Sequence, residues 1–254
     1  LLEFMKEAQS PVRGIFVRYY LARMMKGRLP DGDNRPIKEG GCTILDTISF
    51  LTKNLEEMNR CWIRMTLNAS IDEKPILEKE RYDLKTLISD AIEMLSKLEG
   101  LNMDLYEKEI LPKIIDIIFM YDDSISQEFI IECIVRHFPV SYNIKNLDFL
   151  LLTLSKLGKE VNKTKLFVII LEKLNNYYKE NKDKEEKEEK EKILNEIYGA
   201  YPIILRNYNI IIKKQEKAIS NILDILEINL NFIKFCVICA PEEEKLISIN
   251  HGLS

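Results

Sequence analysis

The residues here whose type and spacing could do chemistry are few. Cys236 and Cys239 in "FCVICA" have the spacing of a metal-ligand or redox pair. A structural zinc site needs four ligands, and only His137 and His251 are available as histidines, with no second cysteine pair. A dithiol redox motif needs a strand-helix-strand setting that the sequence does not offer, so both cysteines are read as buried helix residues. His137 stands just before Phe138 and Pro139 without a recognisable nucleophile or orienting group, and is read as the last residue of a helix, where a basic ring suits the dipole. "KEGG" at 38–41 lacks both the strand before it and the Lys-Ser/Thr after it that a phosphate loop requires. No catalytic, cofactor-binding or metal-binding residue is assigned, and an enzyme is not expected.

A different stretch carries more information. "SPVRGIFVRYYLARMMKGRLPDGD", Ser10 to Asp33, places arginines at Arg13, Arg18 and Arg23. At 100° per residue these lie about 140° apart from one to the next, so no charge-free face exists. At least one guanidinium must lie against protein, either inside a stack of helices or under a partner. The first thirty residues hold six basic and two acidic side chains, in a chain of net charge −4. Arg13, Arg18, Tyr20 and Arg23 are therefore candidate partner-binding residues, with pairing to carboxylates on neighbouring helices the alternative. In "EMNRCWIRM", Trp62 shares a helical face with Leu55, Met58 and Met65 and is read as core. Asn59 and Arg64 join the candidates, because polar groups in a helix-packing segment need partners.

The elements that must position these residues are helices. Ser10 and Pro11 form an N-cap and first-turn pair, and that helix is expected to run to about Lys26. Further helices are expected at about 44–65 and 76–98, the latter closed by a left-handed Gly100. Another is expected at 103–121, kinked or broken by Pro112. One from Ser124 to Phe138 has capping-box spacing at Ser124 and Gln127, with Phe129, Ile130, Cys133, Ile134 and Phe138 on one face. Others are expected at 145–157, 163–179, 190–205 and 214–240, with a last piece after Pro241. The charged run 180–192 is read as a flexible insertion between helices.

About ten serial helices with short connections and no heptad repeat indicate an all-α protein, an α-solenoid of stacked antiparallel pairs of HEAT or ARM type. The domain reading is one solenoid segment over residues 1–254, cut from the middle of a longer cytosolic protein. No apolar run approaches the ~20 residues needed to span a bilayer. Five scattered cysteines do not make a disulfide framework, and the net charge argues against a nucleic-acid partner.

Four ordered blocks resemble the vacuolar protein sorting-associated protein 35 family, the large scaffold subunits of the retromer coat. The first holds Pro11, Arg13, Gly14, Ile15, Phe16, Val17, Arg18, Tyr20, Leu21, Leu29 and Pro30. The second holds Glu57, Met58, Asn59, Trp62, Arg64 and Met65. "LSKLEGLN" supplies Leu95, Leu98, Glu99, Gly100 and Asn102, and "QEFIIECIVRHFP" supplies Gln127, Glu128, Glu132, Cys133, Phe138 and Pro139. The family's Pro-Arg-Leu-Tyr-Leu signature is not among these residues, and the resemblance places it upstream.

The resemblance implies a non-enzymatic scaffold without cofactors, cytoplasmic and peripheral on endosomal membranes, that retrieves membrane proteins toward the Golgi or plasma membrane. It implies that the N-terminal helices meet the arrestin-like retromer subunit, with sorting nexins and cargo tails nearby. The metallophosphoesterase-like subunit would bind outside this stretch, which is expected to be monomeric. Two other classes stay open at this point. One is another helical-repeat adaptor, coat or transport-receptor subunit. The other is an all-helical enzyme or nucleic-acid-binding repeat, which would show a pocket of converging titratable groups or a basic groove.

Overall fold

The computed structural model describes residues 10–32, 41–67, 70–182, 187–215 and 222–239. Every regular element among them is helical. The expected piece after Pro241, His251 and residues 38–40 of "KEGG" lie outside the described residues. The chain divides into two compact units, Leu1–His137 and Phe138–Ser254.

The first unit begins with α1 (Pro11–Met25), whose start follows the sequence expectation: the Ser10 hydroxyl accepts from the Arg13 amide and Pro11 opens the first turn. It ends at Gly27, whose φ of 73° is the left-handed conformation that lets the chain turn back. α2 (Ile44–Leu67) starts where the Asp46 carboxylate accepts from both the Thr43 amide, at 2.7 Å, and its hydroxyl. α3 (Lys74–Ser96) has the same device in Ser70 and Glu73, followed by Pro75. These hydrogen bonds hold Asp46 and Glu73 below the usual carboxylate range.

α4 (Met103–Leu105) runs through a π-helical turn, Tyr106–Ile110, into α5 (Leu111–Phe119). This is how the helix meets Pro112. The Leu111 amide donates to the Tyr106 carbonyl, five residues back, and the widened turn precedes the residue that has no N–H to give. The expected kink is therefore a local change of pitch. In α6 (Ser124–His137) the cap falls one residue earlier than the Ser124–Gln127 spacing predicts. The Asp123 carboxylate accepts from the Ser126 amide at 2.7 Å, and the Gln127 side chain donates to the Tyr121 carbonyl instead.

α2 runs antiparallel to both neighbours. Its first turn meets the end of α1, where Thr47 donates to the Pro30 carbonyl at 2.6 Å, and further along Asn54 donates to the Arg18 carbonyl. Its last turns meet the start of α3, where the Trp62 indole donates to the Arg81 carbonyl at 2.7 Å. α1 also packs on α3, and α3 on α6, while α2 packs on α5. Two rows of helices joined by antiparallel pairs are the stacking rule of an α-solenoid. Ile15, Ile44, Ile48, Leu55, Met58, Trp62, Ile88, Ile92 and Leu95 fill the space between the rows.

The second unit repeats the rule. α7 (Val140–Lys145) and α8 (Leu147–Lys156) pack on α10 (Lys187–Gln215), and α9 (Lys163–Asn181) packs on α11 (Ile222–Cys239). α9 and α10 meet as a pair, and Tyr208 of α10 stacks face to face on Phe232 of α11 at 3.7 Å. α10 is longer than the sequence predicts and continues through Pro202. Of the charged run 180–192, α9 holds residues 180 and 181 and α10 holds 187–192; residues 183–186 are outside the described set.

Gly100 has a different role from the one its position suggests. Its φ is not positive, and α3 ends earlier, at Ser96. A side chain there has no room: a Cβ would lie 2.2 Å from the Gly32 carbonyl oxygen and 2.9 Å from Ile44 Cδ1. The chain passes this close because the Gly100 amide donates to the Asp31 carbonyl at 2.7 Å and the Glu99 amide to the Asp31 carboxylate at 2.9 Å.

Candidate partner interface

α1 divides its charge between inside and outside. Gly14, Ile15, Arg18, Tyr19 and Ala22 are buried. Phe16, Val17, Tyr20 and Met24 are exposed on the other side, with Phe16 and Tyr20 rings stacked at 6.5 Å. Arg18 is the arginine that the unbroken ring of charge required to be inside. It is 1 % exposed, with one terminal nitrogen 3.7 Å from a Glu57 carboxylate oxygen, while its Nε and Nη1 find no acceptor. Arg23 lies on the surface and donates to the Tyr19 hydroxyl at 2.7 Å, which itself donates to Asp90 at 3.0 Å. That hydrogen bond raises the Arg23 pKa above its ordinary value. Arg13 is exposed at the first turn.

The two candidates on α2 separate in the same way. Asn59 is 1 % exposed and accepts from the Ser126 hydroxyl at 2.6 Å, tying α2 to α6. Arg64 faces outward. The six candidates thus form an outer set, Arg13, Tyr20, Arg23 and Arg64, and an inner pair, Arg18 and Asn59. The inner pair is buried against its own chain, which spacing alone does not reveal.

Arg18 supports a prediction. A buried guanidinium with two unpaired donors gains little from one long ion pair. Glu57 keeps a second partner, Arg60, at 3.1 Å, and Asn54 bonds the Arg18 backbone, not its side chain. Arg18→Met is expected to leave unfolding free energy within about 1 kcal/mol of the wild type in urea titrations. A loss above about 3 kcal/mol would show a satisfied strut instead.

The sequence reading missed a buried two-pronged ion pair in this unit. Arg81 is 2 % exposed and grips Asp123 with both terminal nitrogens, Nη1 to Oδ2 at 2.9 Å and Nη2 to Oδ1. Its guanidinium lies 4.6 Å from the centre of the Trp62 ring, and Phe129 lies on that ring at 5.7 Å. A signal was present: Arg81 sits seven residues before Ile88 and so extends the Ile88–Ile92–Leu95 stripe.

The groups that could do chemistry are placed for packing. Burial pushes the Cys133, Cys236 and Cys239 thiols up to about 12, and Cys61 is also raised by burial, with Arg18 opposing it. At pH 8 a thiol of pKa about 12 is thiolate in roughly one part in ten thousand. Cys42 is exposed. Thiol-exchange labelling at pH 8, resolved by peptide mass spectrometry, is expected to modify Cys42 within minutes and the other four only after denaturation. His137 is the last residue of α6 and shares a 2.7 Å hydrogen bond with the Ser89 hydroxyl of α3. Among the described residues no three His, Cys, Asp or Glu side chains cluster as a metal site, and no helix is long and apolar enough to cross a membrane.

Comparison with known proteins agrees with the geometry. The family model described as vacuolar protein sorting-associated protein 35 matches residues 1–252. Vacuolar protein sorting-associated protein 35A of Arabidopsis thaliana is 35 % identical over 178 residues, 70 % of this chain and 22 % of that protein. The relative in Dictyostelium discoideum is 27 % identical over 241 residues, 95 % of this chain and 29 % of that protein. The one in Schizosaccharomyces pombe is 36 % identical over 179 residues, 70 % of this chain and 21 % of that protein. The chain therefore spans less than a third of the length of these relatives. A match along nearly the whole sequence, on rows of paired helices, places the chain in the vacuolar protein sorting-associated protein 35 family.

Proposed function

We propose that the chain is part of a retromer scaffold subunit, which works by shape, holding partner subunits along stacked helix pairs while membrane proteins are retrieved from endosomes. The observation that carries this reading is the family match over residues 1–252 together with the paired-row packing of both units. Titratable groups inside the first unit tie helices together, as Arg81 does with Asp123, Tyr19 with Asp90 and His137 with Ser89.

The partner for the N-terminal helices is the arrestin-like retromer subunit. The outer set on α1 and α2, Arg13, Tyr20, Arg23 and Arg64, supplies exposed cations beside an aromatic side chain, the residue types enriched at interface hot spots. Asn59 contributes from inside by tying α2 to α6, and Arg18 by filling buried space behind the outer face of α1. Sorting nexins and cargo tails would meet the same membrane-side surface, and the metallophosphoesterase-like subunit would bind elsewhere in the longer protein. The protein acts as a peripheral component on the cytoplasmic face of endosomes, and this stretch contributes no self-association. Calorimetric titration of the full-length protein with its own organism's arrestin-like subunit is expected to give saturable one-to-one binding. A folded protein that gives neither heat nor co-elution would reject the reading.

A further inference from the structure

α1 and α3 lie side by side in one row of the first unit, and between their last turns is a cavity of about 200 Å³ with Leu51 of α2 in its wall. A dry cavity of about 150 Å³ holds one benzene ring, whereas cofactor and drug sites begin near 300 Å³. The space therefore fits one branched aliphatic or aromatic side chain. Ala22 and Leu51 line it, and Met25 and Met94 add flexible thioether walls that adapt to the shape of an anchor.

The polar groups around it narrow the ligand. Arg23, Lys26 and Lys97 line it together with Asp31, Asp90 and Glu93, so the charges cancel. Each carboxylate already has an internal donor: Asp31 the Glu99 amide, Asp90 the Tyr19 hydroxyl, and Glu93 the Lys97 ammonium at 2.5 Å. A polyanion or a polycation would meet repulsion from half of the wall. A peptide backbone alternates C=O and N–H, and can give its carbonyls to the cations and its amides to the remaining carboxylate lone pairs. The wall is held in place beforehand, because Thr47 and Gly100 pin the Pro30–Asp31 loop through its carbonyls. A preformed wall spares the ordering cost of binding.

We propose that this cavity is a docking site for an extended, uncharged peptide segment of a partner protein, which inserts one leucine-, methionine- or phenylalanine-sized side chain between α1 and α3. The site stands on the cavity and its charge balance, rests on no contact with the arrestin-like partner, and shares only Arg23 with the outer set.

The test uses full-length protein labelled with carbon-13 at methionine methyls and titrated with acetyl-Ala-Leu-Ala-amide. Met25 and Met94 methyl signals are expected to shift saturably at about 1 mM, as one anchor and a few hydrogen bonds allow, while Met58 and Met65 in the core stay still. Ala22→Leu fills the cavity and is expected to abolish the shift. Met94→Trp plugs it from a half-buried position, with Met25 as reporter, should the first variant move the Met58 and Met65 signals. Acetyl-Glu-Leu-Glu-amide and acetyl-Lys-Leu-Lys-amide are expected to bind within threefold of each other. Absence of a Met25 shift at 10-fold higher peptide, a shift unchanged in both plugged variants, or a tenfold preference for either charged peptide would overturn the proposal.

Discussion

Replacing Arg81 with alanine is expected to lower the stability of the first unit by about 3 kcal/mol, measured by urea unfolding of wild type and variant. Removing one partner of a buried ion pair costs about 3–5 kcal/mol, and Asp123 keeps some water, which places the loss at the lower end. The Asp123 carboxylate would then lose both donors from α3, and Trp62 the guanidinium over its ring. Asp123→Ala should cost more than Arg81→Ala, because the same carboxylate caps α6 through the Ser126 amide. A double-mutant cycle separates the two contributions: the coupling belongs to the pair and the remainder, about 1 kcal/mol, to the cap. An Arg81→Ala loss below about 1 kcal/mol would mean that the contact is no stronger than a surface pair.

Gly100→Ala is expected to be nearly as damaging although it adds one methyl group. The new Cβ would meet backbone atoms of Gly32, which cannot rotate away, at 2.2 and 2.9 Å. Relief requires the 98–102 connection to move off the Pro30–Gly32 turn, breaking the Gly100–Asp31 and Glu99–Asp31 hydrogen bonds. Overpacking of this kind costs about 1–3 kcal/mol, and loss of the turn contacts puts it at the upper end. Native-state hydrogen exchange should show the Gly100 amide and the facing ends of α1 and α3 exchanging about 100-fold faster. Unchanged protection there would show that the turn gives way cheaply. Gly27→Ala makes the comparison instructive, since that site has open space and a positive φ, and its cost is backbone strain alone.

The two glycines also show how far the sequence could be read. Both follow a helix, and spacing marks both as helix stops. Whether a glycine is needed for its φ or for lack of room depends on a strand of chain 68 residues away, which no local pattern reports. The start of α1 was legible because Ser10 and Pro11 act within one turn. The cap of α6 was misplaced by one residue because Ser124 and Asp123 are both good caps, and the choice follows the Asp123 grip on Arg81. Pro112 announced a disturbance, but its form as a π turn depends on how Tyr106 and Ile110 bury. In the candidate site, the wheel required one arginine of α1 to be inside without saying which. Arg18 is chosen by Gly14, Ile15 and Ala22, which share its side and lie against α2 and α3. Arg81 stands alone in an apolar stripe, and such a single charge marks a buried pair more strongly than the clustered arginines of α1 do.

Family membership gives the scaffold reading its frame, and the division of α1 into an inner and an outer set gives it a test. The outer side chains are exposed to a partner, whereas Arg18 is covered by its own chain. The most direct measurement is calorimetric titration of the arrestin-like retromer subunit into the full-length protein carrying Arg13→Ala with Tyr20→Ala, beside Arg18→Met. The outer double variant is expected to bind at least tenfold more weakly with unfolding unchanged, and Arg18→Met to bind like the wild type. Wild-type affinity in the outer variant, with loss confined to Arg18→Met, would contradict the assignment of the outer face of α1 as the interface.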